Sequence, residues 1–196
     1  MRQSISSMLR VMSPTPEHLA IAFANTQSSV EHDHIATLEQ LTEWTGPWRP
    51  LSRLTVDLPA SALAPIRAQR DATQQVLHLV AAHEPVPTEA LHLATGPGLS
   101  AAPFELVPEP GGISVAGEPG SVIRHLLSRA LIDLVVGPHV ALLQHCAGTG
   151  CRKVFLAQRP DRRWCDSRVC GNRVRVAAHA RRRTEVAGSQ PGDGKH

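Results

Sequence analysis

All four cysteines of this chain fall inside 25 residues, in the pattern Cys146-x4-Cys151-x13-Cys165-x4-Cys170. Two close thiol pairs joined by a short connection supply the four soft ligands that a tetrahedral zinc ion takes. Four thiolates with no open position make such a site structural rather than catalytic. Gly148 and Gly150, inside the first pair, let the backbone curl so that both sulfurs face one point. The pair spacing is wider than the common C-x2-C, so three alternatives stay open at this level: two disulfides, free or redox-sensing thiols, and an iron–sulfur cluster. His145 and His179 flank the pattern, but four cysteines complete the shell and both histidines are expected outside it. A segment this short has little core of its own, so metal binding would supply much of its folding free energy.

Charge divides the chain at the same place. Residues 1–145 carry 8 Lys+Arg against 13 Asp+Glu, whereas residues 146–183 carry 11 against 2, and ten of those eleven are Arg. An acidic globular part followed by a strongly basic one points to a polyanion as the partner of the basic end. Hydrophobic residues make up 42% of the chain, enough for a core in the first 145 positions, but aromatics are only 3% and Tyr is absent. The core must come from Leu, Val, Ile and Ala, and RNA recognition through stacked bases is disfavoured. No run of about 18 apolar residues supports a membrane span, and the start lacks the apolar stretch and cleavage site of a signal peptide. The expected location is the reducing cytoplasm, where clustered thiols serve as metal ligands more often than as disulfides.

Residues 1–14 read as a flexible leader. Thr15 as N-cap and Pro16 at the first helical position open a helix to Asn25. A shorter helix spans 37–44, followed by a linker over 50–59 with a short strand at 54–58. Leu63, Ile66, Arg70, Thr73, Leu77 and Val80 recur at helical spacing in 61–83, where the Arg and Thr interrupt an otherwise apolar stripe. A short helix over 88–94 stops at Gly96-Pro97-Gly98. Two apolar runs, 104–107 and 113–115, bracket a Pro/Gly turn as a β-hairpin. A long helix over 119–143 is kinked or interrupted at Gly137-Pro138. No nucleophile elbow or phosphate-cradling glycine loop is present, so no active site is expected. The cluster Glu31, His32, Asp33 and His34 lacks a further ligand at a defined spacing and reads as a polar loop.

Arg163-Trp164-Cys165 followed by Val169-Cys170-Gly171-Asn172-Arg173 resembles the signature of the CGNR zinc-finger family of bacterial proteins. Cys146, Cys151, Phe155 and Leu156, with the basic run from Arg173 to Arg181, fit the same finger. Upstream, Leu19-Ala20-Ile21-Ala22-Phe23-Ala24-Asn25-Thr26 is similar to the opening of the ABATE domain that usually precedes this finger. Asp166 stands where a Ser often follows the Trp-Cys pair. The resemblance implies a stress-induced, DNA-binding transcription regulator. The expected fold is mainly α (α+β): a helical N-terminal domain with a small β-hairpin, plus a C-terminal treble-clef-like zinc module. The expected divisions are 1–14 leader, 15–143 ABATE-like domain, 144–184 finger and 185–196 disordered tail.

A helix starting near Arg168 would place Arg168, Arg175, His179 and Arg182 on one face. With Arg162, Arg163 and Arg173 they form the candidate nucleic-acid contacts, and Val174, Ala177 and Ala178 are left to pack on the zinc hairpin. Trp164 is expected to pack on the knuckle, and Gly171 to let the chain pass close to the metal. The helical domain would then sense a small-molecule effector or mediate assembly, and a regulator of palindromic sites is expected to form a homodimer. The competing reading is a zinc-stabilised adaptor whose basic face binds an acidic protein.

Overall fold

The computed structural model describes residues 16–48, 51–110 and 112–188. The expected leader and the cap at Thr15 lie outside the described residues. The chain is mainly helical, with two small antiparallel hairpins and the cysteine cluster at its C-terminal end.

Helix α1 (Pro16–Ala24) begins at Pro16, whose missing N–H costs nothing in a first turn. Helix α2 (Leu38–Thr45) is opened by a capping box: Thr37 Oγ1 accepts the Gln40 N–H at 3.2 Å, and Gln40 Oε1 accepts the Thr37 N–H at 3.2 Å. The strand expected at 54–58 is not formed. Leu51, Leu54 and Leu58 are spaced by three and four, so one helical turn, α3 (Leu51–Leu54), and the following bend face all three to the core. Thr55, which has no ladder partner, shares a hydrogen bond of 3.0 Å with Thr45 instead.

Helix α4 (Leu63–Ala81) follows a 3-10 turn and buries the middle of the expected stripe, Ile66, Arg70, Thr73 and Leu77, with Leu63 and Val80 half-buried at its ends. Helix α5 (Thr88–Leu99) runs on through Gly96-Pro97-Gly98, where a stop was expected. Close packing on α6 (Pro119–Val136) overrides the breakers. A Cβ at Gly98 would lie 2.7 Å from that of Ser128, and the Pro97 carbonyl is bonded to His125 Nδ1 at 2.8 Å. Strands β1 (Phe104–Glu109) and β2 (Gly112–Gly117) pair antiparallel, with Phe104 opposite Gly117.

The helix expected over 119–143 ends at Val136. After Gly137, Pro138–Leu142 form a 3-10 turn, and strand β3 (Leu143–His145) pairs antiparallel with β4 (Val154–Leu156). The core has two lobes. One gathers Phe23, Ile35, Leu41, Leu51, Ile66, Ile123 and Leu127. The other gathers Ala20, Val76, Leu77, Leu131 and Leu134, and it also contains Leu143 and Val154. The second hairpin is therefore built into the helical core. Helix α7 (Asn172–Gly188) closes the described chain, continuing into the segment expected to be a disordered tail. Residues 189–196 lie outside the described set.

Candidate metal centre and basic helix

Strands β3 and β4 bring the two ends of the first thiol pair together. The Cys146 N–H donates to the Lys153 carbonyl at 2.9 Å, and the Cys151 N–H closes a turn on the Gly148 carbonyl at 3.0 Å. Gly150 sits at φ +73°, in the left-handed region that side-chain-bearing residues avoid. A Cβ on Gly148 would meet Cys170 Sγ at 3.3 Å and Cys146 Sγ at 3.4 Å, so this glycine, rather than Gly171, gives the sulfurs room. Gly171 instead faces the Trp164 ring, 3.3 Å from where its Cβ would stand. The second pair is held by a single π-helical turn, Ser167–Gly171, in which the Cys170 and Gly171 N–H groups both donate to the Asp166 carbonyl.

All four sulfurs lie within 4.8 Å of one another. Cys151 Sγ is 3.8 Å from Cys165 Sγ, which is 3.7 Å from Cys170 Sγ. A zinc ion about 2.3 Å from each of four sulfurs has tetrahedral edges of about 3.8 Å, so the donor set fits that ion in chemistry and in size. Neither His145 nor His179 belongs to the cluster. Burial pushes the Cys170 thiol up to about 11. Burial and the neighbouring Cys146 push Cys165 higher still. Burial also opposes ionisation of Cys146, but N–H groups of Cys165 and Gly148, each 3.4 Å from its sulfur, outweigh this and hold its thiol below the ordinary range. Thiols this crowded cannot all ionise unless a cation sits among them.

Among the described residues the buried apolar support around the sulfurs is Phe155 and Ala157, with Trp164 half-buried against them, as expected of a packing residue. Arg162 lies over the Phe155 ring at 4.5 Å and donates to the carbonyls of Trp164 at 3.1 Å and Cys165 at 2.7 Å. Its guanidinium is thus engaged within the finger. Asp166 Oδ1 accepts the N–H groups of Arg168 at 2.7 Å and Val169 at 3.1 Å. The carboxylate therefore caps the π-turn.

The other predicted contacts, Arg163, Arg168, Arg173, Arg175, His179 and Arg182, are all exposed. Arg168 does not share the face expected of it with Arg175, His179 and Arg182. The π-turn places Arg168 before the α-helix begins, so helical spacing relates only Arg175, His179 and Arg182, at offsets of four and seven. Arg173 points about 200° away from Arg175. Val174, Ala177 and Ala178 are half-buried, and α7 runs straight on from the π-turn with little contact to any other described element.

Two groups of functional side chains escaped sequence reasoning. Asp33, in the loop read as polar, accepts from Arg70 at 2.9 Å and Arg67 at 2.9 Å, while Arg70 also donates to Thr26 Oγ1 at 3.1 Å. Arg70, 1% exposed, holds the Asp33 carboxyl well below the usual carboxylate range. Asn25, expected to end a helix, clasps β4: it donates to the Val154 carbonyl and accepts the Val154 N–H, both at 2.9 Å. The motif from Leu19 to Thr26 was a signal that this stretch matters, but it carried no hint of a partner 129 residues away.

Two family models match the chain. Residues 17–138 match ABATE, described as "Putative stress-induced transcription regulator", and residues 143–183 match the CGNR zinc finger. No curated protein matches it. No helix among the described residues is long and apolar enough to cross a membrane.

Proposed function

The chain belongs to the ABATE family and carries a CGNR zinc finger; on that premise we propose that it is a transcription regulator that grips duplex DNA with α7, held in place by one structural zinc ion on Cys146, Cys151, Cys165 and Cys170. Zinc would supply the positive charge that lets four crowded thiols ionise and a fixed tetrahedral anchor for two knuckles. It has no open position for a substrate.

One observation carries the DNA reading. Arg175, His179 and Arg182 stand exposed along a helix that runs straight on from its own zinc turn and, among the described residues, packs little on any other element. A helix so presented is the width of the major groove, and Arg can read guanine edges with two parallel hydrogen bonds. Arg163 and Arg168, on the connection and the π-turn, flank it at the level of the phosphates.

Mobility shifts on a GC-rich duplex across a salt series test this. With about five phosphates neutralised, the log–log slope of affinity against salt is expected near −4 to −5. Joint replacement of Arg175 and Arg182 by Ala should weaken binding by about 1–3 kcal/mol for each guanine edge that is no longer read. Shifts indifferent to these replacements, or absent at low salt, would favour the adaptor that binds an acidic protein.

A further inference from the structure

Cys151 is a half-exposed ligand, and the backbone that follows it is held by the helical domain at almost every polar group. The Arg152 N–H donates to the Ser28 carbonyl at 3.0 Å. The Arg152 carbonyl accepts from His78 Nε2 at 2.7 Å and from Gln74 Nε2 at 3.3 Å. Asn25 takes both the N–H and the carbonyl of Val154. Gln74, 1% exposed, also ties this point to α1 and its loop, donating to the Ala24 carbonyl at 2.9 Å and the Gln27 carbonyl at 2.8 Å. A carbonyl only accepts, so the His78 proton is on Nε2.

We propose that the helical domain sets how firmly the finger keeps its metal, with Asn25, Gln74 and His78 as positioning residues for the ligand Cys151. This rests on the reading that the four sulfurs hold zinc. A tetrahedral site loses its ion through partial opening, and opening begins at the ligand least enclosed by its own knuckle. Cys146 and Cys170 are buried and Cys151 and Cys165 only partly so; a cleft of about 630 Å³ beside the Ser28–His32 loop is lined by Cys151, Cys165 and Cys170. Cys165 is tethered from within the finger by Arg162. Among the described residues Cys151 has no such internal tether beyond its turn, and the clasp supplies one, anchored at the wholly buried Val154. A change that separates α1 from α4 would therefore loosen the metal.

Helix α4 contains its own control. Gln69 is a second buried glutamine whose Nε2 reaches three acceptors, the carbonyls of Ala94 and Arg124 and Ser128 Oγ, at 3.3, 2.9 and 2.7 Å. Like Gln74 it leaves Oε1 without a partner. It joins α4 to α5 and α6, and its hydrogen bonds reach no residue of the finger.

The experiment is stopped-flow transfer of zinc from the full-length, zinc-loaded protein to a chromogenic chelator, read beside thermal unfolding. Q74M and N25D are expected to release zinc about tenfold faster or more, the size of effect that groups outside the ligand shell have on metal affinity. Q69M should lose comparable thermal stability yet release zinc at the wild-type rate. Should Q74M and N25D fail to fold, H78A should accelerate release and H78Q, which keeps an N–H, should restore it. Release that follows thermal stability equally in the Gln69 and Gln74 variants, or that is unchanged in all of them, overturns the positioning role while leaving the metal site intact. Wild-type protein that retains no zinc overturns the metal reading itself.

Discussion

The helical domain and the finger keep their backbones from water by opposite means. The helical domain encloses Phe23, Ile35, Leu41, Ile66, Ile123, Leu127, Leu131 and Leu134 in two apolar lobes, and buried polar side chains such as Arg70, Thr45 and Ser128 meet hydrogen-bond partners inside it. The finger encloses mostly sulfur. Its cluster is the four cysteines with Phe155, Ala157 and Trp164, too little apolar surface to offset ordering the chain around it. The hairpin β3–β4 belongs to both, since Leu143 and Val154 lie in the helical core while Phe155 lies in the finger's. A metal on the four thiols would thus build a small module from few residues, with a neighbour that has a true core holding one edge of it.

The contrast breaks most visibly when the metal is removed. Chelation, or Cys170→Ser, should cost most of the binding free energy of a structural zinc, on the order of 10 kcal/mol. Amide exchange should then become fast over 157–188 while α1, α4, α5 and α6, and with them β3–β4, stay protected. Uniform loss of protection would show that the two regions share one fate. The reverse cut is Leu131→Ala, fully buried on α6. It should cost about 2–5 kcal/mol in denaturant unfolding, with zinc still bound at one equivalent in the protein that remains folded.

Asp33→Asn probes the polar part of the helical core. It leaves Arg70 buried beside the like-charged Arg67, with Asp71 as its remaining ion-pair partner among the described residues, so a loss of about 3 kcal/mol is expected. Because Arg70 lowers the folded-state pKa of Asp33, this stabilisation is complete above the ordinary carboxylate pKa and fades as pH falls through the lower folded value. Wild type should therefore lose its advantage over the Asn variant on acidification below about pH 4. The smallest effect is at the head of α6, where Glu118 accepts the Gly120 and Ser121 N–H groups at 2.9 and 2.6 Å. Glu118→Ala should lower the unfolding free energy by about 1 kcal/mol and leave metal release unchanged.

Sequence reasoning reached what is local. The four thiols lie within 25 residues in two close pairs, a local pattern that points to one metal site. The stripe of α4, the short helix near 37–44, the β1–β2 turn and the interruption at Gly137-Pro138 are likewise short-range, set by periodicity and by residues with few backbone choices. The basic composition of α7 was legible too. Its face was not, because a π-turn at Ser167–Gly171 shifted the phase of the helix by an amount no periodicity encodes.

The tertiary structure alone decided the pairs distant in sequence. Arg70 looked like a flaw in an apolar stripe until Asp33, 37 residues earlier, was found beside it. Helix α5 passes its breakers because α6 packs close enough to offset their cost. Asn25 and Gln74 find the backbone of Val154 and Arg152 across 129 and 78 residues. A side chain's chemistry states what kind of partner it needs once water is excluded. Which partner it meets depends on how the whole chain closes on itself, and that information is spread over every contact in the core rather than written at any one residue.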